Sequence, residues 1–201
     1  MQRYDETTAL IVVDLQNDFS DPAGSLSVAG AAQIVPRINE EIAEALGGGS
    51  VVVLTQDWHP ETTPHFAKDG GIWPVHCVAD SWGAELDPGL HAPADAVRIR
   101  KGSNGEDGYS GFSMRDPVTG ETTPTALDGI LRERGVSRVV VCGLATDYCV
   151  NATALDAIQL GYETFFLEDA VAAVDLRPGD GERATETMLD AGCQRWQVPA
   201  G

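Results

Sequence analysis

Apolar runs of six to nine residues alternate with helix-forming segments along the chain, and this alternation limits the fold more than any other feature. The runs predict strands over residues 9–14, 51–56, 96–101, 136–144, 163–169 and 193–198. The strongest runs, such as "ALIVVD" and "VSRVVVCGL", are almost continuous in Val, Ile and Leu. Such runs are typical of strands that are covered on both faces of a sheet.

Amphipathic segments lie between these runs and predict helices over residues 31–46, 124–134, 146–160 and about 181–190. Pro124 suits a first helical turn, and Gly47 and Gly135 stand where helices commonly end. Strands and helices in repeated alternation indicate an α/β fold of three layers, αβα, with a parallel sheet between helices on both faces. The 201 residues contain no internal repeat or low-complexity linker, so we expect a single domain over residues 1–201.

The composition is acidic and argues against several classes of partner. The formal net charge of −18 would repel nucleic acid and anionic membrane, and we expect neither as a partner. The acidic residues are scattered, which indicates a solvated surface. The chain shows no signal-peptide pattern and no apolar run of membrane-spanning length, and its four cysteines form no C-x-x-C pair. These features predict free thiols and a cytoplasmic protein.

Three of the four histidines fall within twenty residues that begin at Asp57, in the motifs "DWHPETTPHF" and "WPVH". A single buried histidine that bonds one carbonyl needs no functional explanation. Three histidines and an aspartate on one loop instead favour a metal site, because imidazole and carboxylate are the usual ligands of Zn, Fe and Mn.

Polar residues also follow several of the predicted strands. Asp14 ends the first strand, Asp57 follows the second, Lys101 ends the third, and the fourth runs into "GLATDYCVNA". Each charge taken singly is explained as well by a helix cap or an exposed loop. Because the carboxyl ends of parallel strands meet at one edge of the sheet, we expect one rim that carries carboxylates, an ammonium group, a cysteine and the histidines.

Cys149 is the candidate nucleophile on this rim. Thr146 is predicted to cap the following helix, which places Cys149 in its first turn. The positive end of a helix and a nearby lysine both lower the pKa of a thiol and favour the reactive thiolate. The alternative is a cysteine packed as a small hydrophobic residue, which we expect for Cys142 and Cys193. The position of Cys77, next to His76, leaves both interpretations open.

The chain resembles, over nearly its whole length, the nicotinamidase branch of the isochorismatase-like cysteine hydrolases. Five motifs carry the resemblance: "IVVDLQNDF", "DWHPETTPHF", "WPVHC", "RKGSNGEDGYSGF" and "GLATDYCVNAT". Each motif alone is weak evidence, but five in the same order at strand-end spacing are specific. His91 matches no position of this pattern and is expected at the surface. In the loop after Lys101 only the two ends match, so Asn104, Glu106 and Asp107 receive no role.

The resemblance implies a six-stranded parallel sheet, the isochorismatase-like hydrolase fold. It implies a catalytic triad of Asp14, Lys101 and Cys149. It also implies one divalent metal ion, Zn, Fe or Mn, with the ligands Asp57, His59, His65 and His76. Neither the identity of the metal nor the oligomeric state follows from the family, in which homo-oligomers are one option.

The resemblance further implies hydrolysis of a small amide, nicotinamide and also pyrazinamide, to the acid and ammonia through a thioester, as a step in NAD salvage. The implied oxyanion hole consists of the backbone N–H groups of Ala145 and Cys149, beside a cis Leu144–Ala145 bond. The implied substrate-binding residues are Phe19, Trp73, Tyr109 and Leu144.

Other functions stay open at the level of sequence. Relatives with the same triad hydrolyse N-carbamoyl compounds, biuret or ureidoacrylate, and isochorismatases cleave a vinyl ether without the cysteine. A thiol redox sensor would use Cys149 as a reactive thiol, and a non-catalytic ligand-binding protein would use only the pocket. The presence of Cys149 disfavours vinyl-ether cleavage, and the histidine cluster disfavours a sensor.

Overall fold

The computed structural model describes residues 3–197. Within this range eight strands follow one another along the chain: β1 (Thr8–Val13), β2 (Val51–Asp57), β3 (Val97–Lys101), β4 (Ser113–Arg115), β5 (Thr122–Pro124), β6 (Arg138–Leu144), β7 (Glu163–Ala172) and β8 (Gln194–Arg195). Six of them form one parallel sheet in the order β3-β2-β1-β6-β7-β8. The prediction of a six-stranded parallel sheet is therefore confirmed.

The helices of the described range are α1 (Asn17–Ser20), α2 (Ala31–Gly47), α3 (Leu127–Glu133), α4 (Asn151–Gln159) and α5 (Asp180–Asp190). The apolar side chains of α2 pack on one face of the sheet, against Leu10, Val12 and their neighbours. Those of α3, α4 and α5 pack on the other face, against Ile11 and Val13. The predicted arrangement of helices on both faces is therefore confirmed. None of the helices within residues 3–197 combines the length and the apolar character that crossing a membrane requires.

The central strand β1 explains the position of the site. All six of its residues are buried, and Val12 pairs with Leu54 of β2 on one side and with Cys142 of β6 on the other. The chain adds β2 and β3 on one side of β1 and then returns to add β6 on the other side. The strand order therefore reverses between β1 and β6, and a crevice opens there beyond the carboxyl ends of the strands.

Two helix starts differ from the predictions. Pro124 does not begin a helix but ends β5, which pairs antiparallel with β4 in a hairpin that the sequence analysis missed, and α3 begins only at Leu127. The predicted helix over 146–160 consists of one π-helical turn, Thr146–Val150, followed by α4. The N-cap position belongs to Ala145 in extended conformation, so the prediction that Thr146 caps this helix is wrong.

The ends of two other elements also differ. Gly47 is the last residue of α2, and the left-handed conformation that ends a helix occurs at Gly49, with φ of 79°. At Gly135 the prediction is confirmed, because this residue follows α3 with φ of 70°. The last strand is shorter than predicted, and Val198, at the end of the predicted segment 193–198, lies outside the described residues.

Candidate active site

Asp14 occupies a strained position directly after β1. Its φ of 47° lies in the left-handed region, which a non-glycine residue adopts at some cost. The Thr55 hydroxyl of β2 stabilises this turn, since Oγ1 accepts a hydrogen bond from the Asp14 N–H at 3.2 Å. The same hydroxyl donates to Asp14 Oδ1 at 2.6 Å. One carboxylate oxygen is thus held by β2, and Oδ2 is left for a second partner.

That partner is Lys101, a completely buried lysine at the end of β3. Its Nζ lies 2.6 Å from Asp14 Oδ2 and 3.0 Å from Asp57 Oδ1, and it also donates to the Gly108 carbonyl. Burial alone would lower the pKa of Lys101, but the two carboxylates outweigh burial and hold this pKa well above its ordinary value. The ammonium group therefore stays charged between two carboxylates.

The pKa values of Asp14 and Asp57 are shifted in opposite directions. Burial raises the pKa of Asp14 above its ordinary value, against the opposing effect of Lys101. Burial acts in the same direction on Asp57, but the charge of Lys101 and the neighbouring His59 and His76 hold the pKa of Asp57 well below its usual range. Asp57 is therefore the permanent anion, and Asp14 is the carboxylate that more readily takes up a proton.

Cys149 lies in the π-helical turn that follows β6. Its sulfur and a carboxylate oxygen from each of Asp14 and Asp57 all lie within 4.8 Å of one another. Burial raises the pKa of the Cys149 thiol well above its ordinary value; Asp14 adds to this rise, and Lys101 opposes it. The expectation of a net lowered thiol pKa is therefore wrong. Burial therefore favours the protonated thiol, and the Asp14 carboxylate lies beside it as a proton acceptor.

The three clustered histidines come together in space. All three are buried, and one ring nitrogen from each lies within 4.8 Å of the other two: His59, His65 and His76. Asp57 Oδ2 lies 3.6 Å from His59 Nε2 and 3.7 Å from His76 Nε2. Asp57 thus faces Lys101 with one oxygen and two of the histidines with the other.

The hydrogen bonds of these histidines fit a metal site. His76 Nδ1 bonds the Pro74 carbonyl at 2.8 Å, so Nδ1 carries the proton and Nε2 offers a free lone pair. His65 Nδ1 bonds Asp107 Oδ1 at 2.7 Å, with the same consequence. His59 is fully buried, and neither of its ring nitrogens has a hydrogen-bond partner within residues 3–197. Buried polar nitrogens rarely lack partners, and a cation among these rings would supply one.

Four residues with clear roles in this geometry were missed from the sequence. Thr55 holds Asp14, and Asp107 holds His65. Gln16 bonds both backbone groups of Asp57, each at 2.8 Å. Tyr148 packs edge-on against Trp73, with ring centroids 4.8 Å apart. The available signal was a polar side chain within or beside an apolar strand, which applies to Thr55 and to Gln16.

A pocket opens beside Asp14, Cys149 and two of the three histidines. The Trp73 indole N–H donates to the Tyr109 hydroxyl at 2.9 Å, which joins two aromatic walls. The peptide bond between Leu144 and Ala145 is cis, as the resemblance implies. The lining residues are Asp14, Phe19, Leu26, Val28, Asp57, His65, Trp73, His76, Tyr109, Leu144, Ala145, Tyr148, Cys149 and Val174. A lining that combines polar groups with apolar rings suits a small flat ligand with one polar substituent.

The remaining cysteines and His91 lie away from this pocket. Cys142 and Cys193 are buried in the two cores, and His91 is exposed, in agreement with the sequence analysis. Cys77, which the sequence left open, is fully buried, and its sulfur faces the Gly83 carbonyl. All four cysteines are free thiols, as expected.

Residues 8–194 match the family model of the isochorismatase domain. The nicotinamidase of Acinetobacter baylyi is 40% identical over an alignment of 205 residues, which covers 93% of this chain and 91% of that protein. The pyrazinamidase of Pyrococcus horikoshii in complex with zinc has a TM-score of 0.85 and 44% identity, and the match covers 96% of this chain and 99% of that one. PnC1 of L. infantum in complex with nicotinate has a TM-score of 0.87 and 38% identity, over 98% and 96% of the two chains. The chain belongs to the isochorismatase family.

Proposed function

We propose that this protein is a metal-dependent cysteine amidohydrolase that converts nicotinamide to nicotinate and ammonia through a thioester. One observation carries the proposal: a buried lysine, two carboxylates and a cysteine meet beside three buried histidines at a single pocket. The relatives support the choice of substrate, since one is a nicotinamidase and another is solved in complex with nicotinate.

In the first half of the reaction, Asp14 accepts the proton of the Cys149 thiol as the sulfur attacks the carboxamide carbon. The tetrahedral intermediate collapses when its carbon–nitrogen bond breaks. Protonated Asp14 returns its proton to the leaving nitrogen, which departs as ammonia. Lys101 remains an ammonium group throughout and offsets the negative charge that passes between Asp14 and Cys149.

In the second half, a water molecule attacks the thioester carbon while Asp14 again acts as the base. The carbon–sulfur bond breaks, and the proton returns from Asp14 to the Cys149 sulfur. The nicotinic acid that forms loses the second proton of the water to solvent and leaves as nicotinate. The raised pKa of Asp14 suits both half-reactions, because a carboxylate that readily accepts a proton is the better general base.

We propose that residues of the pocket lining orient the amide. We assign the oxyanion hole to the backbone N–H groups of Ala145 and Cys149, and one donor of this kind typically contributes about 3 kcal/mol to transition-state stabilisation. Phe19 and Trp73 would hold the ring between them, and both are buried side chains of the lining. Tyr109 and Leu144 are further residues of the lining.

The metal ligands we propose are Asp57, His59, His65 and His76. A divalent ion bound there supplies a Lewis acid that can take up the ring nitrogen of a pyridine and order water. Support for an ion comes from the unpartnered nitrogens of His59 and from the relative solved with zinc. The donor set of imidazoles and one carboxylate accepts Zn, Fe or Mn.

Ammonia release from nicotinamide and from benzamide tests this function. Zinc-loaded protein should hydrolyse nicotinamide well and benzamide poorly, because benzamide lacks the ring nitrogen. Chelation should lower the turnover of nicotinamide to the level of benzamide. Cys149→Ala should release no ammonia from either amide while it retains its circular dichroism spectrum and its zinc content.

Two outcomes would contradict the proposal. Turnover retained by Cys149→Ala would eliminate the thioester. Equal turnover of both amides by the zinc-loaded protein would mean that the ring nitrogen is not recognised, and an amidase for an N-carbamoyl compound, biuret or ureidoacrylate would then be the better assignment.

We also propose that residues 1–201 form one domain, supported by a sheet that draws strands from Thr8 to Arg195. A cytoplasmic location and the lack of nucleic-acid and membrane partners stay predictions from the sequence, and a homo-oligomer stays one option. A role as a thiol sensor has little support, because Cys142 and Cys149 belong to the cores on opposite faces of the sheet.

A further inference from the structure

We propose that Asp107 is a positioning residue that orients His65 and fixes its tautomer for metal binding. The inference rests on the proposed metal site and deepens it. Asp107 belongs to the loop after Lys101, where the family motif agrees only at its ends, and it is not one of the proposed metal ligands.

The contact between the two side chains is short and shielded. His65 Nδ1 lies 2.7 Å from Asp107 Oδ1, and the two side chains are 5% and 14% exposed. An ionised carboxylate only accepts hydrogen bonds, so the proton must sit on His65 Nδ1. The Nε2 lone pair is then the one available to a metal, and the negative partner increases its basicity.

The other two histidines lack this support. His76 Nδ1 bonds only a neutral backbone carbonyl, that of Pro74. His59 Nδ1 has no hydrogen-bond partner in the described part of the chain and lies against Gly102, where a Cβ would approach it to 2.6 Å. Of the three rings, His65 is therefore the one that a carboxylate holds by its outer nitrogen.

The carboxylate is presented from a fixed backbone. The Asp107 N–H donates to the Arg115 carbonyl at 2.7 Å, and the Arg115 N–H donates to the Asp107 carbonyl at 3.1 Å. Arg115 belongs to β4, so the hairpin of β4 and β5 supports Asp107 from behind. A second hydrogen bond joins the loop that carries His65 to the loop that carries Asp107, since the Thr63 hydroxyl donates to the Gly105 carbonyl at 3.0 Å.

The same loop also reaches the proposed triad. The carbonyls of Gly108 and Tyr109 both accept hydrogen bonds from Lys101 Nζ. Asp107 is adjacent to these carbonyls in sequence and contacts His65 with its side chain. One segment, residues 102–109, thus contacts the histidine group on one side and the lysine on the other. Loss of the Asp107 carboxylate should act first on the metal, since this side chain bonds His65 directly and does not contact Lys101 in the structure.

The affinity of the full-length protein for Zn²⁺ tests the inference, measured by competition with a chromophoric chelator. Carboxylate partners of ligating histidines are typically worth about 10- to 100-fold in metal affinity, so Asp107→Ala should weaken Zn²⁺ binding by that factor. Asp107→Asn should lose only roughly threefold to tenfold, because its amide oxygen still accepts the Nδ1 proton but carries no charge. The matched control is Glu106→Gln, which removes a charge from the same loop where the side chain bonds Asn104, and it should leave affinity unchanged.

A double-mutant cycle with His65→Ala separates positioning from a general effect on the loop. If Asp107 acts through His65, then Asp107→Ala should have no further effect on Zn²⁺ affinity once His65 is absent. Unchanged affinity in both Asp107 variants would overturn the inference, and so would the same loss with and without His65. A wild-type protein that binds no Zn²⁺ would overturn the proposed metal site as well. If Asp107→Ala does not fold, the Zn²⁺ affinities of Asp107→Asn and Glu106→Gln test the inference by themselves.

Discussion

At the scale of single residues, the site depends on one lysine buried between two carboxylates. A buried charge without a partner is costly, and removal of one member of such a pair typically destabilises a protein by about 3 to 5 kcal/mol. Lys101 has two anionic partners, which reverses the usual effect of burial on its pKa. The charge of Lys101 also lowers the pKa of the Cys149 thiol, whereas Asp14 raises it. These opposite effects can be tested separately.

The rate at which iodoacetamide alkylates Cys149 should change in opposite directions in two variants. Lys101→Met removes the charge that lowers the thiol pKa, so the pH profile of alkylation should move to higher pH. Asp14→Asn removes a charge that raises it, so the profile should move to lower pH. Each unit of change alters the thiolate fraction at neutral pH about tenfold. Peptide mass spectrometry assigns the modification to Cys149 rather than to another thiol.

The rate of nicotinamide hydrolysis separates the loss of catalysis from the change in thiol reactivity. Asp14→Asn should hydrolyse nicotinamide at least about a hundredfold more slowly even though its thiol reacts faster, because the variant lacks the proposed general base. Alkylation profiles that coincide with the wild type in both variants would mean that neither charge acts on the cysteine.

At the scale of elements, a glycine near the end of β6 lets this strand approach the end of β1 closely. The pairing of β6 with β7 shifts register between Val141 and Gly143. Gly143 has φ of 106°, and a Cβ there would lie 2.2 Å from the Val13 carbonyl oxygen. Only glycine permits this approach. Val13 directly precedes Asp14, so the close contact between the two strands also determines where Asp14 lies.

Gly143→Ala should therefore affect both stability and activity. The Cβ clash and the positive φ should together lower the free energy of unfolding by roughly 2 kcal/mol or more. Displacement of the Val13 backbone should move Asp14 and reduce the turnover of nicotinamide. Urea denaturation and ammonia release measure the two effects.

The matched control is Gly129→Ala in α3. A Cβ at Gly129 meets no atom within 4 Å, so this change should be neutral or should stabilise the helix by up to about 1 kcal/mol. A Gly143→Ala protein as stable and as active as the control would show that the glycine is not required at this strand end.

At the scale of the whole molecule, the sheet separates two hydrophobic cores, one on each face. One core lies under α2 and contains Cys142, while the other lies under α3, α4 and α5 and contains Cys149. The pocket opens at the carboxyl edge of the sheet, and members of both cores reach its lining, whereas Cys142 does not. Packing around Cys142 should therefore affect stability without changing the chemistry.

Cys142→Ala should show this separation. The side chain is fully buried, and loss of its sulfur should cost about 1 kcal/mol, less than the larger truncations for which cavity costs are known. For a chain of this length such a loss lowers Tm by about 2 to 4 °C. The turnover of nicotinamide should stay within about twofold of the wild type. A large fall in turnover with an unchanged Tm would show that the core under α2 communicates with the site.

The sequence by itself determined the layers of the fold and the chemical groups at the site. Short continuous apolar runs are typical of strands covered on both faces of a sheet, and strand ends in a parallel sheet share one edge. These two facts bring Asp14, Lys101 and the histidine loop to one rim without any knowledge of the loops. The family resemblance added the triad and the ligand set. Asp14 and Cys149 of the triad and Asp57, His65 and His76 of the ligand set line the pocket.

The tertiary structure alone decided which neighbouring side chains hydrogen-bond the groups of the site, and in which direction burial shifts their pKa values. Thr55 and Asp14 are 41 positions apart, and His65 and Asp107 are 42 apart, so no local period relates them. The hairpin of β4 and β5, which supports Asp107, has strands of three residues each, too short for a sequence period to show. The thiol pKa of Cys149 depends on burial, which outweighs the lysine that the sequence placed nearby. Contacts between distant loops and the depth of burial arise only when the chain is packed, because both depend on every element at once.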